Sequence, residues 1–220
     1  MEIKYFSQSI WAEELAKIIL NDIKFYLSVQ DRCRVMLTGG RSSILLCQAL
    51  SKLAAFRNIQ SVDFYITDER NVPLEHSESN FKLIQEYLFN RNFPENSFLH
   101  GYPTGINDKE AVAISYEKIL PKNIDILLLS VGEDGHIASL FPNNSSLHEE
   151  TRLIVHTIGD KPPFERFTIT PKVIKSSKKI YVMACGSDKK HILEKVNSGS
   201  YHYTEIPAML VGHGIWISYL

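Results

Sequence analysis

Cysteine is scarce in this chain, and its scarcity removes two classes of protein at once. The three cysteines in 220 residues, Cys33, Cys47 and Cys185, are scattered, odd in number and without metal-ligand spacing. Neither a disulfide scaffold nor a thiolate zinc site is therefore expected. Cys33 and Cys185 sit in apolar runs and read as small core residues. An excess of either charge is also missing: 24 Lys and Arg against 25 Asp and Glu leave a formal −1. That balance offers no bulk attraction to nucleic acid or to an anionic membrane, so an anionic ligand has to be caught by a local site. No apolar run approaches the ~18 residues that a membrane span needs. The N-terminus, MEIKYFSQSIW, lacks the basic-then-apolar order of a secretory signal. A reduced, cytoplasmic protein is expected, without nucleic-acid or membrane partners, as a monomer or weak homodimer.

Several catalytic signatures are absent too. No pair among the eight histidines has HxxxH or HExxH spacing, which argues against a zinc hydrolase. There is no GxSxG elbow, so the commonest serine-hydrolase arrangement is excluded. The glycines match neither GxGxxG nor GxxxxGK[ST], so neither a dinucleotide nor a nucleoside triphosphate is indicated. The expectation is a site with no metal and no cofactor, in which a hydrolase would use water as nucleophile.

What the chain does contain, with 44% hydrophobic and 22% charged residues, is strand-length apolar runs alternating with helix-length amphipathic ones. Cys33–Thr38, Val62–Thr67, Ile124–Val131, Arg152–Ile158 and Lys179–Cys185 read as strands. Several are apolar at nearly every position, as in strands buried on both faces of a parallel sheet. Ser9–Leu27, Ser42–Phe56, Ser79–Phe89, Lys109–Leu120 and Asp188–Val196 show helical spacing, and Ser7, Ser42, Ser79 and Asp188 are candidate caps. This alternation predicts an α/β fold with a doubly wound, mainly parallel, Rossmann-like sheet. With no repeat or linker, one domain over residues 1–220 is expected, with excursions in Asn90–Asp108 and Asn143–Phe167.

In such a sheet, ligands bind outside the carboxyl ends of the strands, and three polar loops fall there. Thr38-Gly39-Gly40-Arg41-Ser42-Ser43 joins a strand to a helix. Its glycines allow a close backbone approach, and Arg41, Ser42 and Ser43 are donors suited to phosphate; an ordinary tight turn explains the same residues equally well. In Thr67-Asp68-Glu69-Arg70, Asp68 would orient a sugar hydroxyl and Arg70 would clamp phosphate, although a surface ion pair is the commoner meaning. Gly132-Glu133-Asp134-Gly135-His136 is the sharpest signal, since glycines bracket an acidic pair and a histidine follows at once. His136 suits a general base, Asp134 would orient it, and amides from Gly132 to Gly135 would face an oxyanion. Lys161 and Arg166 flank a stiff diproline turn, and Arg166 and Lys189 are further cations able to reach an anion, or simply solvated charges. His76, His100, His148 and His191 are expected to be solvated, and His156 to be a core histidine.

These stretches, in this order, resemble the 6-phosphogluconolactonase family. LTGGRSS is similar to its first glycine loop, FYITDERNVPLEHSESN to its acid–arginine segment, and LLLSVGEDGHIASLFP to its signature around the catalytic histidine. KPPFERFTIT and MACGSDKKHIL resemble its proline–arginine strand and its lysine loop, and YTEIPAMLV fits near the end. The resemblance implies the fold shared with glucosamine-6-phosphate deaminases and ribose-5-phosphate isomerases. It implies hydrolysis of 6-phospho-D-glucono-1,5-lactone to 6-phosphogluconate, the second step of the oxidative pentose phosphate pathway. It also implies His136 as general base beside Asp134, with Gly39, Gly40, Ser42, Arg70, Arg166 and Lys189 lining a sugar-phosphate site. The chain departs from the pattern at Ser43, where Pro is common, and at Arg41, where a small hydroxyl residue is common. It also stops at Leu220, where relatives often continue.

Two rival activities are weighed against this. The deaminases resemble this chain through the DGHIA core but continue FNEP, whereas here Ser139-Leu140-Phe141-Pro142 carries no acid. They also have Tyr where this chain has Arg70. A non-catalytic sugar-phosphate sensor would need no intact His136.

Overall fold

The computed structural model describes residues 1–90 and 93–219. Ten strands and seven α-helices follow one another among these residues. They are β1 (Glu2–Tyr5), α1 (Trp11–Val29), β2 (Cys33–Leu37), α2 (Arg41–Lys52), α3 (Ala54–Arg57), β3 (Val62–Ile66), β4 (Asp68–Arg70), α4 (Asn80–Leu88), β5 (Phe98–Leu99), α5 (Lys109–Ile119), β6 (Ile126–Ser130), β7 (Ile154–Ile158), β8 (Glu165–Ile169), α6 (Pro171–Ser176), β9 (Lys179–Met183), α7 (Lys190–Ser198) and β10 (Ile215–Ser218). Seven strands form one sheet in the order β1-β10-β9-β6-β2-β3-β5, and every neighbouring pair in it is parallel. The expected doubly wound α/β architecture is present. From β2 the chain winds outward through β3 to β5, then crosses to β6 on the other flank of β2. That reversal opens a crevice between the carboxyl ends of β2 and β6.

Strand burial explains the order. Cys33, Val35, Met36 and Leu37 in β2 are buried, as are Ile126 to Leu129 in β6 and Ile180 to Met183 in β9. Such strands are stable only with both faces covered, so they occupy the middle of the sheet. Helix α1 covers one face with Trp11, Leu15, Ala16, Ile19, Leu20 and Ile23, all buried. The edge strands β1 and β5, and β10 beside β1, carry no clear signal in the sequence because each is only two to four residues long.

The expected strand over Arg152–Ile158 exists as β7 but does not join the parallel sheet. It pairs antiparallel with β8, and β8 with β4, in a separate three-stranded sheet. Its burial differs from that of the central strands: Ile154 and Thr157 are buried, Val155 and His156 half-buried and Ile158 exposed, which suits a less fully covered antiparallel sheet. Of the loop-rich stretch Asn90–Asp108, residues 91 and 92 lie outside the described residues, and the remainder contains β5. The two sheets meet at Thr67, a single fully buried residue between β3 and β4. Its N–H donates to Leu37 of the parallel sheet at 2.9 Å, and its carbonyl accepts from Ile169 of the antiparallel one at 2.9 Å.

Only Ser79 of the four expected caps acts through its side chain, accepting from the Lys82 N–H at 3.2 Å. Ser7 receives Trp11 through its backbone carbonyl, and Ser42 lies inside α2, whose N-cap is Gly40. Asp188 lies in a short 3-10 turn ahead of α7. A stronger cap at α4 comes from outside the helix. Glu69, fully buried on β4, accepts from the N–H groups of Arg70, Asn80 and Phe81 at 2.8 Å each and from the Ser79 hydroxyl at 3.0 Å. Burial pushes the Glu69 carboxyl up, and these donors offset only part of that.

Removing this carboxylate strands several buried donors at once. Glu69→Ala is therefore expected to cost about 3 kcal/mol or more in urea unfolding, and Glu69→Gln less. A Glu69→Ala protein within about 1 kcal/mol of wild type would show that α4 is held in some other way.

Candidate active site

Strand β6 ends at Ser130, and the chain then folds into a tight loop. The Gly132 N–H donates to the His136 carbonyl at 2.8 Å, the Gly135 N–H donates to the Gly132 carbonyl at 3.1 Å, and Val131 bridges Ile137. Gly135 has φ +87°, a conformation that favours glycine. Gly132 is required for a different reason: a Cβ there would lie 2.1 Å from His136 Nδ1. The imidazole rests directly over the glycine backbone.

His136 Nδ1 lies 2.6 Å from Asp134 Oδ1, which also accepts from the His136 N–H at 3.2 Å. An ionised carboxylate only accepts, so Nδ1 carries a proton, and in the neutral ring Nε2 is left as the acceptor. Nε2 has no partner among the described residues. Burial works to raise the Asp134 carboxyl, but the hydrogen bonds and the charge of His136 outweigh it and hold it below the usual carboxylate range. The stability contributed by this depressed group is complete above the ordinary carboxylate range and is lost as pH falls through the lower folded value. Phe141 packs on the imidazole with ring centres 5.0 Å apart.

The antiparallel sheet brings cations to the same place. Arg70 and Arg166 are cross-strand partners on β4 and β8, where like charges normally repel. Arg166 is buried; its Nε donates to the Pro163 carbonyl at 2.7 Å and its Nη2 to the Lys161 carbonyl at 3.1 Å. Burial, and then the charge of Arg70, lower its pKa. Arg70 Nη1 donates to the Glu78 carbonyl at 2.6 Å, while its buried Nε has no partner among the described residues. Lys189, at the start of α7, lies 3.0 Å from Asp188 and 4.0 Å from Glu133. A cleft of about 560 Å³ joins Arg70, Gly132, Asp134, His136, Arg166 and Lys189.

Other expected site residues fall elsewhere. Gly39, Gly40, Arg41 and Ser42 do not line the cleft. They lie at the end of β2 across the crevice, where Gly40 adopts φ +94° and the Asn80 amide fills the space beside Gly39. Arg41 is exposed and helps hold the Asp188 carboxyl down, after the Lys189 hydrogen bond. Asp68, expected to orient a sugar hydroxyl, is buried with both oxygens engaged: Oδ1 accepts from Thr67 at 2.8 Å and Oδ2 from Ser139 at 2.7 Å. The Gly132 and Gly135 amides, expected to face an oxyanion, are spent on closing the loop. Among the amides from Gly132 to Gly135, those of Glu133 and Asp134 remain.

Sequence reasoning missed Phe141 and Asp160, and noted Pro162 only as part of a proline turn; all three line the cleft. Asp160 and Pro162 sit at the tip of the β7–β8 hairpin. Three histidines expected to be solvated are engaged, His76 by accepting the Glu78 N–H at Nδ1 at 3.1 Å. His191 Nε2 lies 2.7 Å from the Glu133 carbonyl, and His100 lies 3.6 Å from Asp63 and stacks on Tyr65.

Comparison with known proteins matches residues 7–216 to the family described as glucosamine-6-phosphate isomerases/6-phosphogluconolactonase. The chain belongs to that family. A 6-phosphogluconolactonase of Mycobacterium leprae is 31% identical over 198 residues, covering 84% of this chain and 80% of the relative. A crystal structure of a 6-phosphogluconolactonase from Shewanella baltica superposes with a TM-score of 0.88 at 24% identity, over 99% of this chain and 97% of that one. A monomeric glucosamine-6-phosphate deaminase superposes with a TM-score of 0.83 at 18% identity, over 100% of this chain and 97% of that one. The fold is thus common to both branches of the glucosamine-6-phosphate isomerase/6-phosphogluconolactonase family.

Two guanidiniums held side by side should be relieved by an anion. Millimolar inorganic phosphate is expected to raise the melting temperature of the wild type, since a ligand that binds only the folded state stabilises it. It should do little for Arg166→Ala. Equal shifts in both proteins would place the anion elsewhere.

Proposed function

We propose that this chain is a cytoplasmic, cofactor-independent 6-phosphogluconolactonase that converts 6-phospho-D-glucono-1,5-lactone to 6-phosphogluconate in the oxidative pentose phosphate pathway. One observation carries the reading: a histidine oriented by a carboxylate opens into the same cleft as two paired arginines, of which Arg166 has no carboxylate partner among the described residues. The first arrangement suits activation of water, and the second suits a phosphate. The names of the relatives point the same way, toward a lactone whose ester and phosphate sit at opposite ends of one sugar.

In this mechanism the 6-phosphate is held between Arg70 and Arg166, with Lys189 completing the anion site. The lactone C1 then lies beside His136. Nε2 takes a proton from water as the water oxygen bonds to C1, while Asp134 stabilises the imidazolium through Nδ1–H. The carbonyl oxygen becomes an oxyanion, which the Glu133 and Asp134 amides face. Collapse of the tetrahedral intermediate breaks the bond from C1 to the ring oxygen, and His136 returns the proton to that oxygen. Phe141 packs against the imidazole and helps fix its position.

The test is a coupled assay. The lactone is generated in situ by glucose-6-phosphate dehydrogenase, product is read with 6-phosphogluconate dehydrogenase, and spontaneous hydrolysis is subtracted. The wild type should accelerate product formation, and His136→Ala should lose about 10²–10⁴-fold in kcat while melting normally. Asp134→Asn should lose rate as well, because an amide can hold the imidazole in the wrong tautomer. A folded wild type without acceleration would falsify the lactonase reading and leave the deaminase and sensor readings to be tried.

A further inference from the structure

Ser139 lies three residues beyond His136 and is gripped from two sides. Its hydroxyl donates to Asp68 Oδ2 at 2.7 Å, and its N–H donates to Thr168 Oγ1 at 3.1 Å. Ser139 and Thr168 are fully buried, and Asp68 is 5% exposed. Within a low-dielectric interior such bonds are expensive to break, because each partner would be left unpaired. The chain between the base and this grip has little freedom. Ile137 bridges Val131 on one side and Leu140 on the other, and Ala138 is held at φ +49°, a strained conformation for a residue with a Cβ. Moving Ser139 therefore moves His136.

The two groups that grip Ser139 are themselves cross-strand partners: Asp68 faces Thr168 across β4 and β8, and two residues further along the same strands Arg70 faces Arg166. Residues two apart on a strand point to the same face and lie about 6.7 Å apart. One face of a rigid strand pair thus carries the arginines at one position and the anchor of the histidine loop at the next.

We propose that Ser139, held by Asp68 and Thr168, is a specificity-determining positioning residue that sets the distance from the arginine pair to His136, and so selects lactones whose anionic group lies at one fixed reach from the carbonyl. The proposal rests on the lactonase reading above, because it needs an anion at the arginines and a carbonyl at His136. Asp68 thereby acquires a role without touching substrate. Its charge remains buried to accept two hydroxyls, and the sugar is measured by the strand pair to which Asp68 belongs.

The measurement is the preference for a phosphorylated over an unphosphorylated substrate. For wild type, Ser139→Ala, Thr168→Val and Thr168→Ser, kcat/KM is determined on 6-phosphogluconolactone and on glucono-1,5-lactone. A ratio of two substrates on one preparation cancels any loss of folded protein, which a purely structural role would cause. Wild type should prefer the phosphorylated lactone strongly. Ser139→Ala and Thr168→Val should cut that preference by about tenfold to hundredfold, through kcat on the phosphorylated substrate, as expected for misplacement of about an ångström. Thr168→Ser, which keeps the hydroxyl, should retain it. If either Ser139→Ala or Thr168→Val fails to fold, the other decides. Variants that slow both substrates equally overturn the proposal and leave the lactonase reading standing. A wild type with lactonase activity but no preference for phosphate overturns the anion role of the arginines, and the proposal with it.

Discussion

A strand buried on both faces can present polar chemistry only where it ends, and β6 is such a strand. Ile126, Leu127, Leu128 and Leu129 are all buried between β2 and β9, so the first residues free to carry charge follow Ser130. The backbone there must leave the sheet at once. It does so in a loop whose amides close on themselves and whose imidazole lies where a side chain on Gly132 would be. The glycine, the acid and the histidine form one geometric solution, in which the acid fixes the tautomer and the glycine makes room for the ring. The position of the loop in the sheet supplies the rest, since β2 ends alongside β6 and the crevice between them is open.

The second determinant is electrostatic. A chain with almost no net charge gathers Arg70, Arg166, Lys161 and Lys189 around one cleft. Two guanidiniums stand opposite each other on adjacent strands, where like charges repel, and the pKa of Arg166 is lowered first by its burial and then by the charge of Arg70. Backbone carbonyls of Lys161 and Pro163 hold Arg166 in place without neutralising it, whereas Arg70 is held by the Glu78 carbonyl and lies 3.4 Å from the Glu78 carboxylate. At Arg166 orientation and charge are thereby kept separate.

Much of this was legible in the residues, for identifiable reasons. The loop from Gly132 to His136 stood out because polar residues interrupt an almost wholly apolar run, a contrast that needs no tertiary knowledge. The pairing of Arg70 with Arg166 did not, because it depends on strand register between segments far apart in the chain. Strand β4 is three residues of Asp, Glu and Arg, which no hydrophobic pattern marks as a strand. Strand β7 was visible as a strand but not as part of a hairpin, so the cleft-lining residues at its tip stayed hidden. Asp68 shows the opposite error: a carboxylate beside a site was read as facing it, whereas its neighbours Thr67 and Ser139 take up both oxygens.

The junction at Thr67 has a mechanical consequence. Because one buried residue hydrogen-bonds to Leu37 in the parallel sheet and to Ile169 in the antiparallel one, the strands that carry the arginines are tied directly to the scaffold. Tilting β4 and β8 would strain bonds in the centre of the molecule. The arginine pair is thereby mounted on the core as a bracket is fixed to a frame.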